Sequence, residues 1–236
     1  MSRRSLLTTL LIVIALTGGA GMALAFLLRH EPAFYVRGAI PRGDKRSKLS
    51  RECTGQFSSL LNGILNNKEG GSAQFSEEEI NSYFQEDFVT NHILENLLPD
   101  GVSNLRVGFD PERLRMAFRY GHGVFSTVIS LVIRPWIVAH EPNAVALEFE
   151  SLHAGALPIS PQWVLERISE AARQQHVDVS WYRLSGHPVV LLRFQADRPH
   201  PTFRLERLRL RQSNLFISGR SLEGTAPSTL AKAASE

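Results

Sequence analysis

The hydrophobic pattern of this chain changes period once, and that change decides its class of fold. Between residues 49 and 98 apolar side chains recur every three or four positions, the spacing of one helix face. Leu49, Cys53, Phe57, Leu60, Leu61, Ile64 and Leu65 form the first such run, and Gly70-Gly71 ends it. Ser76 is followed three residues later by Glu79, the signature of a capping box. Phe75 and Ile80 stand where a hydrophobic staple would fix the entry of the chain. The helix that follows carries Ile80, Tyr83, Phe84 and Phe88 on one face, and a third short segment, 91–98, stops at Pro99-Asp100-Gly101. From Val102 the period is two. Leu105, Val107 and Phe109 alternate with polar or small residues, a turn at Asp110-Pro111-Glu112 follows, and Leu114, Met116, Phe118 and Tyr120 continue the alternation. Gly121-His122-Gly123 turns the chain into a long run over 124–138, and Glu141-Pro142-Asn143 leads to Val145, Leu147 and Phe149. These segments predict an antiparallel meander. Ser160-Pro161 opens another helix as N-cap and first position. Four short strands are expected near 179–183, 189–194, 203–211 and 215–218. In the third, Phe203 and Leu205 are apolar at odd positions but Leu208 and Leu210 at even ones, which predicts a β-bulge near Glu206-Arg207. The expected fold is α+β, a long antiparallel meander packed on or wrapped around helices.

Ahead of this domain, residues 6–28 carry no charge and are bounded by Arg3, Arg4 and Arg29. As a helix rising about 1.5 Å per residue the run spans about 35 Å, enough for a hydrocarbon core of about 30 Å. We read residues 1–28 as a retained signal-anchor, a transmembrane helix. Ala23-Leu24-Ala25 has the small-x-small pattern of a cleavage site, the alternative, but Phe26-Leu27-Leu28 prolongs the apolar run beyond it. A plain positive-inside count would keep the following domain in the cytoplasm. Against that count stand the very short tail with Arg3 and Arg4, and the segment Ser2-Arg3-Arg4-Ser5-Leu6-Leu7. It resembles a twin-arginine export signal, with Thr8 in place of the usual lysine. The expectation is a single-pass protein of the cytoplasmic membrane with its domain, residues 49–222, on the extracytoplasmic side. Residues 29–48 read as a basic juxtamembrane linker, and 223–236, small and polar, as a disordered tail.

A net charge of +3 and a pI near 9.3 raise the question of nucleic acid or anionic lipid as a partner. The surplus is local: residues 29–51 sum to +5, whereas everything from 52 onward sums to −4. Arg37, Arg42, Lys45, Arg46, Lys48 and Arg51 are therefore candidate contacts to anionic headgroups, at about 1 kcal/mol for each basic residue near such a surface. The row Arg207, Arg209, Arg211 has no interleaved aromatic residue, so nucleic acid is not an expected partner. Residues 52–112 sum to −9 and 113–220 to +6, which predicts an acidic helical layer against an Arg-rich sheet.

Catalytic signals are missing. The eight histidines form no ligand-spaced pair, and His140-Glu141-Pro142 lacks the second histidine of a helical zinc motif. Glu148 and Glu150 share a strand face and read as its solvated side. The single cysteine, Cys53, sits on an apolar helical face and reads as core. There is no Gly-x-Ser-x-Gly elbow, phosphate loop or dinucleotide fingerprint, so no catalytic residue, metal or cofactor is expected. What exceeds an ordinary sheet is apolar excess. Residues 124–133 are apolar on one face through Phe125, Ile129, Leu131 and Ile133, and half apolar on the other through Val124, Val128 and Val132. Val189-Val190-Leu191-Leu192 is apolar on both faces. Such strands are covered twice or line a cavity. Val124, Val128 and Val132, with Trp136 and Trp163, are the candidate lining of an apolar groove.

Two segments carry a resemblance. Phe75-Ser76-Glu77-Glu78-Glu79-Ile80-Asn81 resembles the "eE-L/I-N" helix start of bacterial YpmS-like proteins. Gly155-Ala156-Leu157-Pro158-Ile159-Ser160-Pro161 is similar to their "G-x-L-P-l-P" segment, with Ser160-Pro161 departing from its spacing. The shared order of anchor, helix, meander, Leu-Pro segment and helix covers most of residues 1–175. The resemblance implies a single-pass extracytoplasmic protein, from a family poorly defined in function. The layout is also similar to small tubular lipid-binding modules, which implies an apolar ligand groove. The functional expectation is a membrane-anchored domain that binds a lipid or other apolar envelope ligand without catalysis. The alternative is a module that docks another envelope protein.

Overall fold

The computed structural model describes residues 3–66, 69–90, 101–160, 177–195 and 201–222, together with the isolated helical positions 162, 165, 166, 169, 170 and 173. Three helices come first, α1 (Arg3–Leu28), α2 (Ala33–Arg37) and α3 (Asp44–Asn66). A strand β1 (Gly71–Ser76) runs directly into α4 (Glu77–Gln85), and α5 (Asp87–Thr90) follows. The second half is β2 (Val102–Asp110), β3 (Arg113–Tyr120), a 3-10 turn at Gly123–Phe125, β4 (Thr127–Ile137), β5 (Ala144–Ala154) and β6 (Leu157–Pro158). It ends with β7 (Asp178–Leu184), β8 (His187–Arg193), β9 (Phe203–Arg211) and β10 (Asn214–Ser221). The larger sheet has the order β2-β3-β4-β5-β8-β7 with β6 on β5, the smaller β1-β10-β9, and every pairing is antiparallel. This is the α+β architecture with a long antiparallel sheet that the change of period predicts.

Register follows apolar phase. In β9, Arg207 lies opposite Ser218 and Leu205 opposite Gly219, so Glu206 is the extra residue of the expected bulge; it pairs with Arg220 at 3.0 Å. A second bulge puts Val132 opposite Ser151 and Ile133 opposite Phe149, with Glu150 unpaired between them. The run expected to start a strand at 124 starts at Thr127 instead. Gly121 and Gly123 both take left-handed φ, and the 3-10 turn consumes Phe125, which leaves the sheet face on which Ile129, Leu131 and Ile133 remain.

Both faces of the central strands are covered by the chain itself. Ile129, Leu131, Ile133, Phe149, Leu152 and Val190 form the core of one face, against which Leu28 and Leu165 pack. On the other, Ala144, Ala146, Val189 and Leu191 pack with Trp136, and Tyr35 of α2 lies over Ala117 and Val128. Each fully buried Val, Leu, Ile or Phe side chain contributes roughly 1.5–3 kcal/mol, so a strand buried on two faces is the hardest to peel away. This coverage changes the reading of residues 29–48. They are part of the folded body: Tyr35 is 1% exposed, and Arg106 stacks over its ring at 4.2 Å while donating to its carbonyl. Glu31 pairs with Arg119 of β3.

The smaller sheet carries α3. Cys53, Leu60 and Ile64 pack on Phe75, Leu215 and Ile217. The capping box forms as the sequence predicts. Ser76 Oγ accepts from the Glu79 N–H at 3.2 Å and the Glu79 carboxylate accepts from the Ser76 N–H at 2.7 Å. Phe75 and Ile80 meet in the same cluster, completing the staple. Two buried asparagines tie the parts together. Asn81 of α4 donates to the Val107 carbonyl and accepts from the Val107 N–H, both at 2.8 Å, closing the edge of β2 with a side-chain amide. Asn143, in the β4–β5 turn, donates to the Phe203 carbonyl at 2.7 Å and accepts from the Leu205 N–H at 2.8 Å, joining the larger sheet to β9.

The expected complementarity of acidic helices and Arg-rich sheet is corrected in detail. The helical acids pair with the basic N-terminal segment, Lys45 with Glu78 at 3.0 Å and Arg46 with Glu86. Most of the paired sheet arginines stay within the strands and their turns, Arg113 with Glu150, Arg134 with Glu112, Arg193 with Glu141 and Asp178, while Arg119 reaches Glu31.

Candidate functional site

Between α3, α4 and the smaller sheet lies an apolar groove of about 250 Å³. Helical spacing puts Cys53, Thr54 and Phe57 of α3 on one wall. The capping box sets α4 at a fixed angle to β1, so Ile80, Tyr83 and Phe84 form the other wall, and Phe75, Leu215 and Ile217 make the floor. Tyr83, Phe84 and Phe88 pack as an aromatic trio with ring centroids 5.3–5.9 Å apart. Polar groups beside the groove are paired with one another: the buried Ser50 donates to Asp87 at 2.7 Å and Gln56 to Glu79 at 2.7 Å. The groove continues along α3 as a strip of half-exposed apolar residues, Phe57 at 51%, Leu61 at 42% and Leu65 at 44%. From Phe57 to Leu65 the strip runs about 12 Å at about 1.5 Å per residue. A 150 Å³ apolar cavity is roughly what takes up benzene, so this groove has room for a short length of an apolar chain. The same run of residues that predicted α3 held this signal: its apolar face is wider than one small sheet can cover.

Cys53, on the α3 wall of the groove, is 6% exposed. Burial pushes its thiol up to about 11, with Glu79 and Asp87 adding to the shift. Burial also raises the neighbouring Tyr83 phenol. The folded state therefore keeps the Cys53 proton where the unfolded chain loses it, and stability falls as pH rises from about 9 towards 11. At pH 8 the native thiol is expected to alkylate with iodoacetamide about 100-fold more slowly than the unfolded chain, from thiolate fraction alone. Labelling at the rate of an exposed cysteine would contradict this account of the groove. Thiol reactivity is not what this site offers.

Of the residues expected to line a groove, two of those described are covered by the chain itself. Val128, Val132 and Trp136 do share one face of β4, but Val128 is filled over by Tyr35, and Trp136 packs on the Ala144 and Val189 cluster. Val124 falls in the 3-10 turn ahead of β4; its side chain and Trp163 lie outside the described residues. Glu148 corrects another expectation. It is 6% exposed and its carboxylate is 2.8 Å from His187 Nδ1, because β5 is central and covered on the face assumed to be solvated. Of the candidate headgroup contacts, Lys45, Arg46 and Lys48 are engaged with Glu78, Glu86 and Glu52. The bonds from Arg46 hold Glu86 below the usual carboxylate range. Arg37, Arg42 and Arg51 are exposed, and the charge of Arg42 adds to the field that lowers Glu86.

The end of α1 is joined to the body. Helix C-termini leave carbonyls without partners, and here the domain supplies them: the Ala156 N–H donates to the Leu27 carbonyl at 2.8 Å and Thr127 Oγ1 to the Leu28 carbonyl at 2.5 Å. Gly155 takes φ +59, and a Cβ there would overlap the Leu27 and Leu28 carbonyl oxygens. Upstream, Ile12, Val13, Ile14, Leu16, Met22, Leu24 and Phe26 are all exposed. Successive residues point about 100° apart, so over residues 12–26 α1 exposes apolar side chains all round. Among the described residues, no helix is long and apolar enough to cross a membrane.

Compared with protein-family models, curated proteins and solved structures, the chain matches none.

Proposed function

We propose that this protein is a domain held at the cytoplasmic membrane by its N-terminal helix, on the extracytoplasmic side, and that it binds a lipid or other apolar envelope ligand without catalysis. The single observation that carries the reading is the apolar groove of α3, α4 and β10, continuous with the strip Phe57, Leu61 and Leu65. Leaving such a surface in water forfeits roughly 25 cal/mol for each Å² that a ligand would cover. The anchor part rests on the uncharged run 6–28 and on the all-round exposure of apolar side chains in α1, a distribution that suits lipid better than water. The resemblance to YpmS-like proteins points the same way. A periplasmic reporter fused after Glu236 is expected to be active; an inactive one argues for the opposite orientation.

The groove is tested with the full chain in nanodiscs containing a phospholipid with a photoactivatable acyl chain. Cross-links are expected in α1 and, separately, in peptides that span Cys53 to Leu61 or Phe75 to Phe84. Phe57→Arg places a charge at the groove mouth and is expected to remove most of the second set while leaving the first. Cross-links confined to α1 in the unmodified chain would sink the lipid reading. The second reading, a groove for an apolar helix of another envelope protein, is favoured by the i, i+4, i+8 spacing of Phe57, Leu61 and Leu65. It gains if groove cross-links fail.

A further inference from the structure

We infer that the β3–β4 turn is a second membrane contact, with Phe125 entering the interfacial layer of the bilayer that holds α1. The inference rests on the anchor reading of α1 and adds to it an orientation for the whole domain. Strand register puts the relevant parts at one end of the larger sheet. Tyr120 of β3 lies opposite Thr127 of β4, and the Gly121 N–H donates to the Gly101 carbonyl ahead of β2 at 3.0 Å. Thr127 is also the residue that holds the Leu28 carbonyl. After Leu28 the chain moves away from this end: Glu31 meets Arg119, Tyr35 covers Ala117, and Phe34 lies beneath Arg115 at 4.9 Å, each contact further along β3. The residues before Leu28 therefore leave from the turn end of the sheet. A cavity of about 400 Å³ lined by Leu28, Arg29, Arg119, Gly123 and Ser126 lies between the helix exit and the turn.

Phe125 is 91% exposed, and the turn that exposes it is built rather than frayed. Its N–H donates to the His122 carbonyl at 3.2 Å, and Ser126 Oγ to the Gly123 carbonyl at 2.9 Å. The other end of the same sheet is unlike it. There the β2–β3 turn, Asp110-Pro111-Glu112, is bonded to the β9–β10 turn, with the Glu112 N–H on the Leu210 carbonyl and the Ser213 N–H on the Phe109 carbonyl. The polar end is closed on itself, whereas the end beside the apolar helix presents a phenylalanine. An exposed phenylalanine gains free energy when its ring leaves water, Phe is among the side chains that interfacial segments bury at the headgroup/acyl boundary, and only one end of this sheet has a bilayer next to it in the anchor reading. The basic residues 37–51 follow α2, which is set back from the turn: Arg106, beside α2, lies opposite Ala117, about 10 Å along β3 from Tyr120 at about 3.4 Å per residue.

The test uses the full chain, with Cys53 replaced by alanine, in nanodiscs of phosphatidylcholine and phosphatidylglycerol. Nitroxide labels are placed singly at Leu16, Phe125 and Gln212, and collisions with oxygen and with a water-soluble nickel chelate are compared. Oxygen is expected to dominate at 16 and at 125, and the ratio to invert at 212. A further label at His122, with Phe125 intact, is expected to be shielded from nickel and to become accessible in Phe125→Asp. If 16 is lipid-exposed while 125 and 122 behave like 212, the turn contact is wrong and the anchor stands. If 16 is also aqueous, the anchor reading falls and this inference with it.

Discussion

Gly155→Ala is expected to lower the thermal midpoint of the full chain by about 10 °C, while Gly123→Ala lowers it by only a few degrees. The two glycines have nearly the same backbone, φ +59 and φ +55. A left-handed L-residue costs roughly 1–2 kcal/mol at either site. They differ in what a methyl would meet. At Gly123 nothing lies within 4 Å, whereas at Gly155 the methyl would overlap the two carbonyl oxygens that end α1. To relieve that overlap the turn must give up the Ala156 bond to Leu27, the Thr127 bond to Leu28, or its own bond from Gly155 N–H to the Val128 carbonyl. Each net hydrogen bond is worth about 0.5–1.5 kcal/mol. With about 2–4 °C per kcal/mol for a domain of this size, the total reaches the stated loss. Equal losses in the two variants would mean that α1 is not docked on the β5–β6 turn. The distinction bears on the proposed function: under the anchor proposal, a docked helix would fix the domain relative to the membrane and a tether would not.

The second large effect is at Asn81, which is 2% exposed and supplies both partners of Val107. Asn81→Ala leaves a backbone donor and a backbone acceptor buried and unpaired, at about 1–3 kcal/mol each. A loss of about 4 kcal/mol is expected in chemical denaturation. Asn81→Asp separates the two bonds. The carboxylate still accepts from the Val107 N–H, but its second oxygen faces the Val107 carbonyl, so the buried group is expected to favour the protonated form, which donates there. Its folded-state pKa then lies above the unfolded value, the protonated form is stabilised, and the variant loses stability as pH rises from about 4 upward. An Asn81→Asp variant that is most stable at neutral pH would contradict the bond pattern. Loss of this edge closure also frees β2 for pairing with another chain, so aggregation at high concentration is the expected accompaniment.

Much of the fold was legible because it is local. The capping box at Ser76 and Glu79 needs only four residues, and it forms as read. The bulge at Glu206 is a slip of apolar phase within one strand, visible without knowing the partner. The meander from β2 to β5 joins neighbours in sequence through short turns. By contrast, the sequence predicts no strand at β1, which lies between the helix stop at Gly70-Gly71 and the N-cap Ser76, since Ser72-Ala73-Gln74 has no apolar alternation. It is a strand because β10, far along the chain, offers it a ladder of backbone partners. Glu148 looked solvated because alternation reports which side chains share a face, not whether that face is covered. The candidate lining on β4 turns on a related point. Valines on β4 were candidates for an opening, yet α2 fills the space above Val128 from a segment read as a linker. The open apolar surface is on α3 instead, where Phe57, Leu61 and Leu65 exceed what the smaller sheet can cover.

By itself the sequence determined the class of fold, the helix start at Ser76, the phase of each long strand and the uncharged run at the N-terminus. All of these depend on the chemistry of residues within a few turns of one another. Only the tertiary structure decided which apolar faces are covered, that residues 29–48 belong to the body, and that Phe125 and the end of α1 lie at the same end of one sheet. Those are questions of which surface meets which across the chain. The answer depends on the shape of the partner, and no pattern within a single segment encodes it.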